Sequence, residues 1–314
     1  DRTPDRIGWR VETLDEMLRL AQRVGDKQLT LDVLAFRIYD LVALGDVASW
    51  SRDLDAHQHV ADEIREPFYT YCSRAMTVAR AINSGHFQEA ERLAGEAHAI
   101  GQQLGVDNAD GVLGVQMFTI RREQGRLREV APFVQHFVVE RGAGAAWRPG
   151  LAVIYADLEQ RPDAAAAFER LAADGFKSIP RDSLWQASLC YLVDVCDYLG
   201  DAEHAAMLYD MLLPYADLTV MLGNATVCLG ATSRFLGQLA STMVRWQEAE
   251  AHFEHALALN GRMEAVPWIA HTRFQYSREL MRRGRREDAG RAIQLLDEAI
   301  ATARQHGMHG LLSR

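Results

Sequence analysis

Lysine is nearly missing from this 314-residue chain: Lys27 and Lys177 are the two lysines among 34 basic residues, and the rest are arginine. With 43 acidic residues the formal charge is −9, and no block of clustered cations is present to grip a nucleic-acid backbone directly. The densest basic stretch, Arg278 to Arg291, is interleaved with Glu279, Glu287 and Asp288 and reads as a solvated helix end. No apolar run reaches the roughly 18 to 20 residues that a membrane span needs. The opening DRTPDRIGWR has neither a signal-peptide core nor an initiator Met, so a cytoplasmic segment of a longer bacterial protein is expected. Cysteine is scarce as well. Cys72, Cys190, Cys196 and Cys228 form no C-x-x-C pair and each sits in an apolar helical run, the pattern of small buried hydrophobes in a reducing compartment. Catalytic strings are absent too. There is no G-x-x-x-x-G-K-[ST] loop, H-E-x-x-H or G-x-S-x-G, so neither an enzyme nor a bound cofactor is expected of these residues.

What the chain does have is alanine, leucine, arginine and glutamate in abundance, all strong helix formers, with apolar residues at three- and four-residue spacing. Helical runs are punctuated at Gly25-Asp26, Gly45-Asp46, Gly85-His86, Gly125-Arg126, Gly200-Asp201 and Gly284-Arg285, where a glycine ends one helix and the next begins. Alternate stops recur at about forty residues, the length of two helices and two turns. The second helices carry a stripe of small and large residues at four-then-three spacing: Ala90, Ala94 and Ala97; Ala164, Phe168 and Leu171; Ala205, Tyr209 and Leu212; Ala249, Phe253 and Ala256. With Leu236-Gly237 in the preceding helix, these units resemble the tetratricopeptide repeat. The expected fold is all-α, a right-handed superhelical solenoid of about seven to eight tetratricopeptide-like hairpins. Gly and Pro concentrate between Arg141 and Pro180. The reading therefore divides the chain into N-terminal repeats (1–140), an irregular short repeat or soft hinge (141–180) and C-terminal repeats (181–314).

Longer strings go beyond a generic repeat. REPFYTYCSRAMTVARAINSGHFQEAERLAGEA, FTIRREQGRL, IPRDSLWQASLCYLVDVCDYLGDAEHAAMLYDMLLPYADL, GATSRFLGQLASTMVRWQEAEAHFEHALALNGRMEAVPWIAHTRFQYSRELMRRG and LLDEAIATARQHGM follow one another in that order. Together they resemble the C-terminal repeat region of bacterial signal-transduction ATPases. That group includes ATPase-linked class III adenylate/guanylate cyclases and maltose-activator-like regulators with a LuxR-type DNA-binding domain. The resemblance implies a region that receives a small-molecule inducer or a peptide or protein partner, and that works beside ATPase and output modules lying outside these residues.

In a hairpin solenoid the first helices line the concave side, where ligands and peptides bind. Counting back from each stop places Arg122, Asp194, Asp197, Tyr198, Arg234, Gln238, His271, Phe274 and Arg278 there. Guanidinium forks for carboxylate or phosphate, carboxylates, an imidazole and aromatic faces make this a candidate groove for a polar ligand or a peptide. Trp147 and Trp185 stand near the starts of first helices, either as walls of a cleft or as packing between repeats. Arg148 and Asp182 are their polar neighbours, and Trp268 has the same placement. Glu248, His252 and His255 have spacing that suits a metal, but they flank the Ala249–Phe253–Ala256 packing stripe, and no metal site is expected. A protein–protein scaffold without a small ligand is the alternative reading.

Overall fold

The computed structural model describes residues 6–140 and 147–314. Its helices run α1 Ile7–Val24, α2 Lys27–Leu44, α3 Val47–Ile64, α4 Pro67–Asn83, α5 Phe87–Gln103, α6 Ala109–Glu123, α7 Leu127–Glu140, α8 Arg148–Asp157 and α9 Arg161–Ala172. They continue with α10 Trp185–Leu199, α11 Ala202–Leu212, α12 Thr232–Thr242, α13 Trp246–Arg262, α14 Val266–Arg283, α15 Ala289–Gln305 and α16 His309–Leu312. Helices α2 to α15 pair in succession as seven hairpins, with α1 packed on α2 and α16 on α15. This is the all-α repeated-hairpin solenoid read from the sequence. The α8–α9 hairpin is the shortest, at 10 and 12 residues. Of the irregular stretch beginning at Arg141, residues 141–146 lie outside the described part.

The punctuation works as its chemistry dictates. All six predicted stop glycines are left-handed, with φ between 71° and 75°, a conformation that a Cβ disfavours. Where aspartate follows the glycine, it caps the next helix: the carboxylates of Asp26, Asp46 and Asp201 accept from the backbone N–H groups of Leu29, Ser49 and His204. Two residues thus end one helix and start another. The predicted stripes of second helices are buried throughout, from Ala90, Ala94 and Ala97 to Ala249, Phe253 and Ala256. At Gly237 a Cβ would stand 2.8 Å from the Phe253 ring, so glycine there sets the close approach of α12 to α13.

Among the described residues, the helical period expected along the chain gives way to strands at one place. Residues 219–231 form an antiparallel hairpin, β1 Thr219–Leu222 and β2 Val227–Ala231, with Met221 opposite Cys228 and Leu222 opposite Val227. Every residue of both strands is buried. The hairpin packs on α2, α4, α6, α10, α12 and α14, six of the seven first helices, and so occupies the inside of the superhelix. Its polar groups are matched by reaching side chains. Thr219 Oγ1 donates to Val42 O at 2.8 Å, Ala231 N donates to Asn260 Oδ1 at 2.8 Å, and Gln116 Nε2 lies 3.4 Å from Thr226 O. Each of these would otherwise be a buried unsatisfied group.

The two ends of the solenoid also meet. Helix α4 touches α14 and α6 touches α16. Asn83 Nδ2 donates to Met263 O at 2.9 Å, and one continuous apolar cluster runs from Ile7 to Leu311, with two small ones beside it. An open concave groove, as the sequence reading expected, is therefore not what the first helices enclose: much of their inner face is core. Gly230, at φ 77°, lies under Trp268, whose Cβ would be 2.5 Å from a new Cβ. Left-handed strain together with overpacking predicts that Gly230→Ala lowers the unfolding free energy by about 2–5 kcal/mol in urea titrations. Gly261→Ala, on open helix surface, is expected to be neutral or stabilising by up to about 1 kcal/mol.

Candidate functional site

The first helices are parallel neighbours, and the hairpin covers only the deeper turns of their inner faces. Near their C-terminal ends a cavity of about 600 Å³ remains. It is walled by Arg122 of α6, Asp157 of α8, Asp194, Asp197 and Tyr198 of α10, Gln238 of α12, and Phe274, Gln275 and Arg278 of α14. Arg128 and Glu159 stand on one side, and Gly310, Ser313 and Arg314 bring the C-terminal residues across another. That volume is in the range of small-molecule sites.

Seven of the residues singled out from the sequence meet here: Arg122, Asp194, Asp197, Tyr198, Gln238, Phe274 and Arg278. Arg234 and His271 lie on the same helical faces but one turn deeper, beside the hairpin, and both are buried. Arg234 Nη2 is 3.5 Å from Leu229 O and Nη1 3.3 Å from Gln275 Oε1, and the guanidinium sits 3.8 Å from the centre of the Phe235 ring. Burial, only partly opposed by Asp194, lowers its pKa to about 10. His271 is clasped by Glu123, with Nε2 2.8 Å from Oε2, and stacks on Trp268. Burial lowers the pKa of this histidine against the opposing pull of Glu123. The tryptophans belong to packing. Trp147 lies on Gly114 and shares a small apolar void with Phe118, Tyr191 and Leu222. Trp185 is buried against Tyr215, with Arg181 over its face. Arg148 and Asp182 are exposed and away from the cavity, where the Asp182 carboxylate accepts from Leu184 N. Glu248 and His252 both reach the hydroxyl of Tyr209, at 3.3 and 2.9 Å.

Electrostatics organise the cavity floor. Arg122 Nε donates to Asp157 at 2.6 Å and its Nη2 to Asp194 at 2.7 Å. Arg314 Nη2 reaches the other Asp157 oxygen at 2.7 Å, and Gln238 Nε2 donates to Asp194 at 3.2 Å. Burial alone would raise the Asp194 pKa, but the guanidiniums of Arg122, Arg234 and Arg314 outweigh it and hold the carboxyl down at about 2. At the mouth a single carboxylate, Asp197, takes Arg278 at 3.1 Å and Arg282 at 3.5 Å. Phe274 lies beneath the Arg278 guanidinium. Asp157, Arg314 and Gln275 were not singled out from the sequence. Asp157 and Arg314 are 157 residues apart, and only closure of the solenoid brings them together. The sequence matches no known family model, and a search of characterised proteins likewise found no match.

The floor yields a stability prediction. Arg122→Met leaves Asp157 and Asp194 without their shared partner, and breaking such a buried pair should cost about 3–5 kcal/mol in urea unfolding at neutral pH. Because the folded Asp194 pKa is depressed, its ionisation contributes stability above the unfolded value of 3.8, and that contribution is lost as pH falls towards 2. The stability gap between wild type and Asp194→Asn should therefore narrow across that acid window. A gap that stays constant there contradicts the assignment.

Proposed function

We propose that this chain is the sensor and interaction repeat region of a bacterial signalling ATPase or transcriptional regulator, and that it takes its inducer in the cavity at the C-terminal ends of the first helices. The observation that carries this reading is the convergence of Arg122, Asp194, Tyr198, Gln238, Phe274 and Arg278 on one 600 Å³ space. The activity is binding, in the cytoplasm, with ATP hydrolysis and output supplied by modules beyond these residues.

The walls suit a switch. Five first helices and the C-terminal residues each contribute part of the lining, so a bound molecule touches α6, α14 and the residues after α16 at once. A ligand shifts a conformational balance only by its difference in affinity between states. One that bridges α6, α10, α14 and the residues after α16 favours the state in which those elements are docked. Arg314 is the natural coupling point, because its ion pair with Asp157 forms one side of the cavity. The alternative, a protein–protein scaffold, has its own support in the N-terminal hairpin surface, where Trp9 is 63% and Phe36 60% exposed.

Thermal-shift screening of the intact chain with sugars, sugar acids, nucleotides and amino-acid derivatives tests the reading. Ser313 is exposed at the cavity wall, so Ser313→Trp should obstruct the space without disturbing the core. A hit should raise Tm in the wild type, with at least about tenfold weaker binding to Ser313→Trp. Hits that bind both proteins equally would place the ligand elsewhere.

A further inference from the structure

The hydrogen-bonding capacity left over in the cavity is mainly that of donors. Each of its two inner carboxylates already accepts from two residues: Asp157 from Arg122 and Arg314, Asp194 from Arg122 and Gln238. Asp197, at the mouth, serves Arg278, Arg282 and Thr242. The arginines are not saturated. A guanidinium carries five N–H donors in a planar fork, yet Arg278 and Arg282 share one carboxylate, and each is 42% exposed. Arg128 lines the same space exposed, with no ion pair among the described residues. The ends of five first helices surround these groups, and their C-terminal dipoles help hold the cations together in the empty state.

Among the described residues, two acceptors remain: the Glu159 carboxylate, exposed at the rim, and one that is buried. Gln238 is 4% exposed and lines the cavity. Its Nε2 is committed to Asp194, which fixes the amide orientation, and its Oε1 has no hydrogen-bond partner. An orphaned buried carbonyl is destabilising unless something donates to it.

Resting on the cavity as the binding site, we propose that its ligand is a small organic anion, a carboxylate or phosphate ester, that also carries a hydroxyl or amine. The oxyanion meets the unspent forks of Arg278 and Arg128 in the lining, with Arg282 next to them outside it through its share of Asp197, and such forks recognise oxyanions bidentately. The hydroxyl or amine donates to Gln238 Oε1 deeper in, and Phe274 supplies a face for the carbon skeleton. A neutral sugar leaves the forks unused, and a cation meets the guanidiniums of Arg122, Arg128, Arg278 and Arg314 with only Glu159, exposed at the rim, unpaired among the described residues to balance them.

Calorimetry on the intact chain with four related probes tests this: glucose 6-phosphate, gluconate, glucose and glucosamine. Glucose 6-phosphate or gluconate should bind about tenfold or more tightly than glucose and glucosamine, and added salt should weaken the binding. Arg278→Gln with Arg282→Gln should reduce anion affinity by about tenfold or more, and Gln238→Leu should weaken both anions. The Arg278 and Arg282 side chains are half-exposed, so this variant keeps the test open if Gln238→Leu fails to fold. If glucose or glucosamine binds as tightly as the anions, and Ser313→Trp abolishes that binding, the cavity stands and the anion assignment falls. Anion binding untouched by both the double arginine variant and Ser313→Trp would overturn the cavity itself. No heat and no thermal shift with either anion at millimolar concentration also contradicts the assignment.

Discussion

A hairpin solenoid must cover the inner face of its first helices, and here burial of the β1–β2 hairpin within the superhelix is the constraint on which the remaining structure depends. Two short strands, buried along their whole length, replace solvent as the partner of six first helices. Once the hairpin is in place, the deep turns of those helices must be packed and hydrogen-bonded like any core. Asn260, Gln116 and Thr219 supply the polar contacts that make this possible. Helix α12 shows the result: all eleven of its residues are buried, including Thr232, Ser233, Arg234 and Gln238.

The same constraint creates the cavity. The hairpin covers the deeper turns but not the C-terminal turns, and α16 with the final residues crosses from the far end of the chain. A pocket of mixed charge, open at its mouth, is left between the two coverings. Its buried ions are tolerable because they form a network. Arg122 alone would be a costly desolvated charge, but shared between Asp157 and Asp194, and supported by Gln238 and Arg314, it is paired on every side. Network and closure support each other, since Arg314 and Glu123–His271 join the end of the chain, and α14, to α6 and α8.

Much of this was legible in the sequence, because local rules governed it. The six Gly stops, the Asp caps that follow three of them, and the Ala–Phe–Ala stripes are written at fixed spacing, and all of them hold. The TVML and VCLGA segments were not legible, because a short apolar run has no period to separate a buried strand from a helix. Counting back from the stops placed Gln238 and Phe274 on the inner face, but it placed Arg234 and His271 there too. One helical turn decides which of these meet the cavity and which meet the hairpin, and the hairpin was the unseen element. Asp157 and Arg314 carry no local signal, since their meeting depends on the closure of the whole solenoid.

Hydrogen–deuterium exchange on the intact chain, with and without glucose 6-phosphate, tests the central claim most directly: that the cavity joins α6 to α14 and the residues after α16, and that its ligand reinforces the junction. The account predicts slowed exchange at the C-terminal turns of α6, α10 and α14 and in α16, with the outer faces of α3 and α5 unchanged. Protection confined to the outer helices, or binding that leaves α16 exchanging as before, would contradict it.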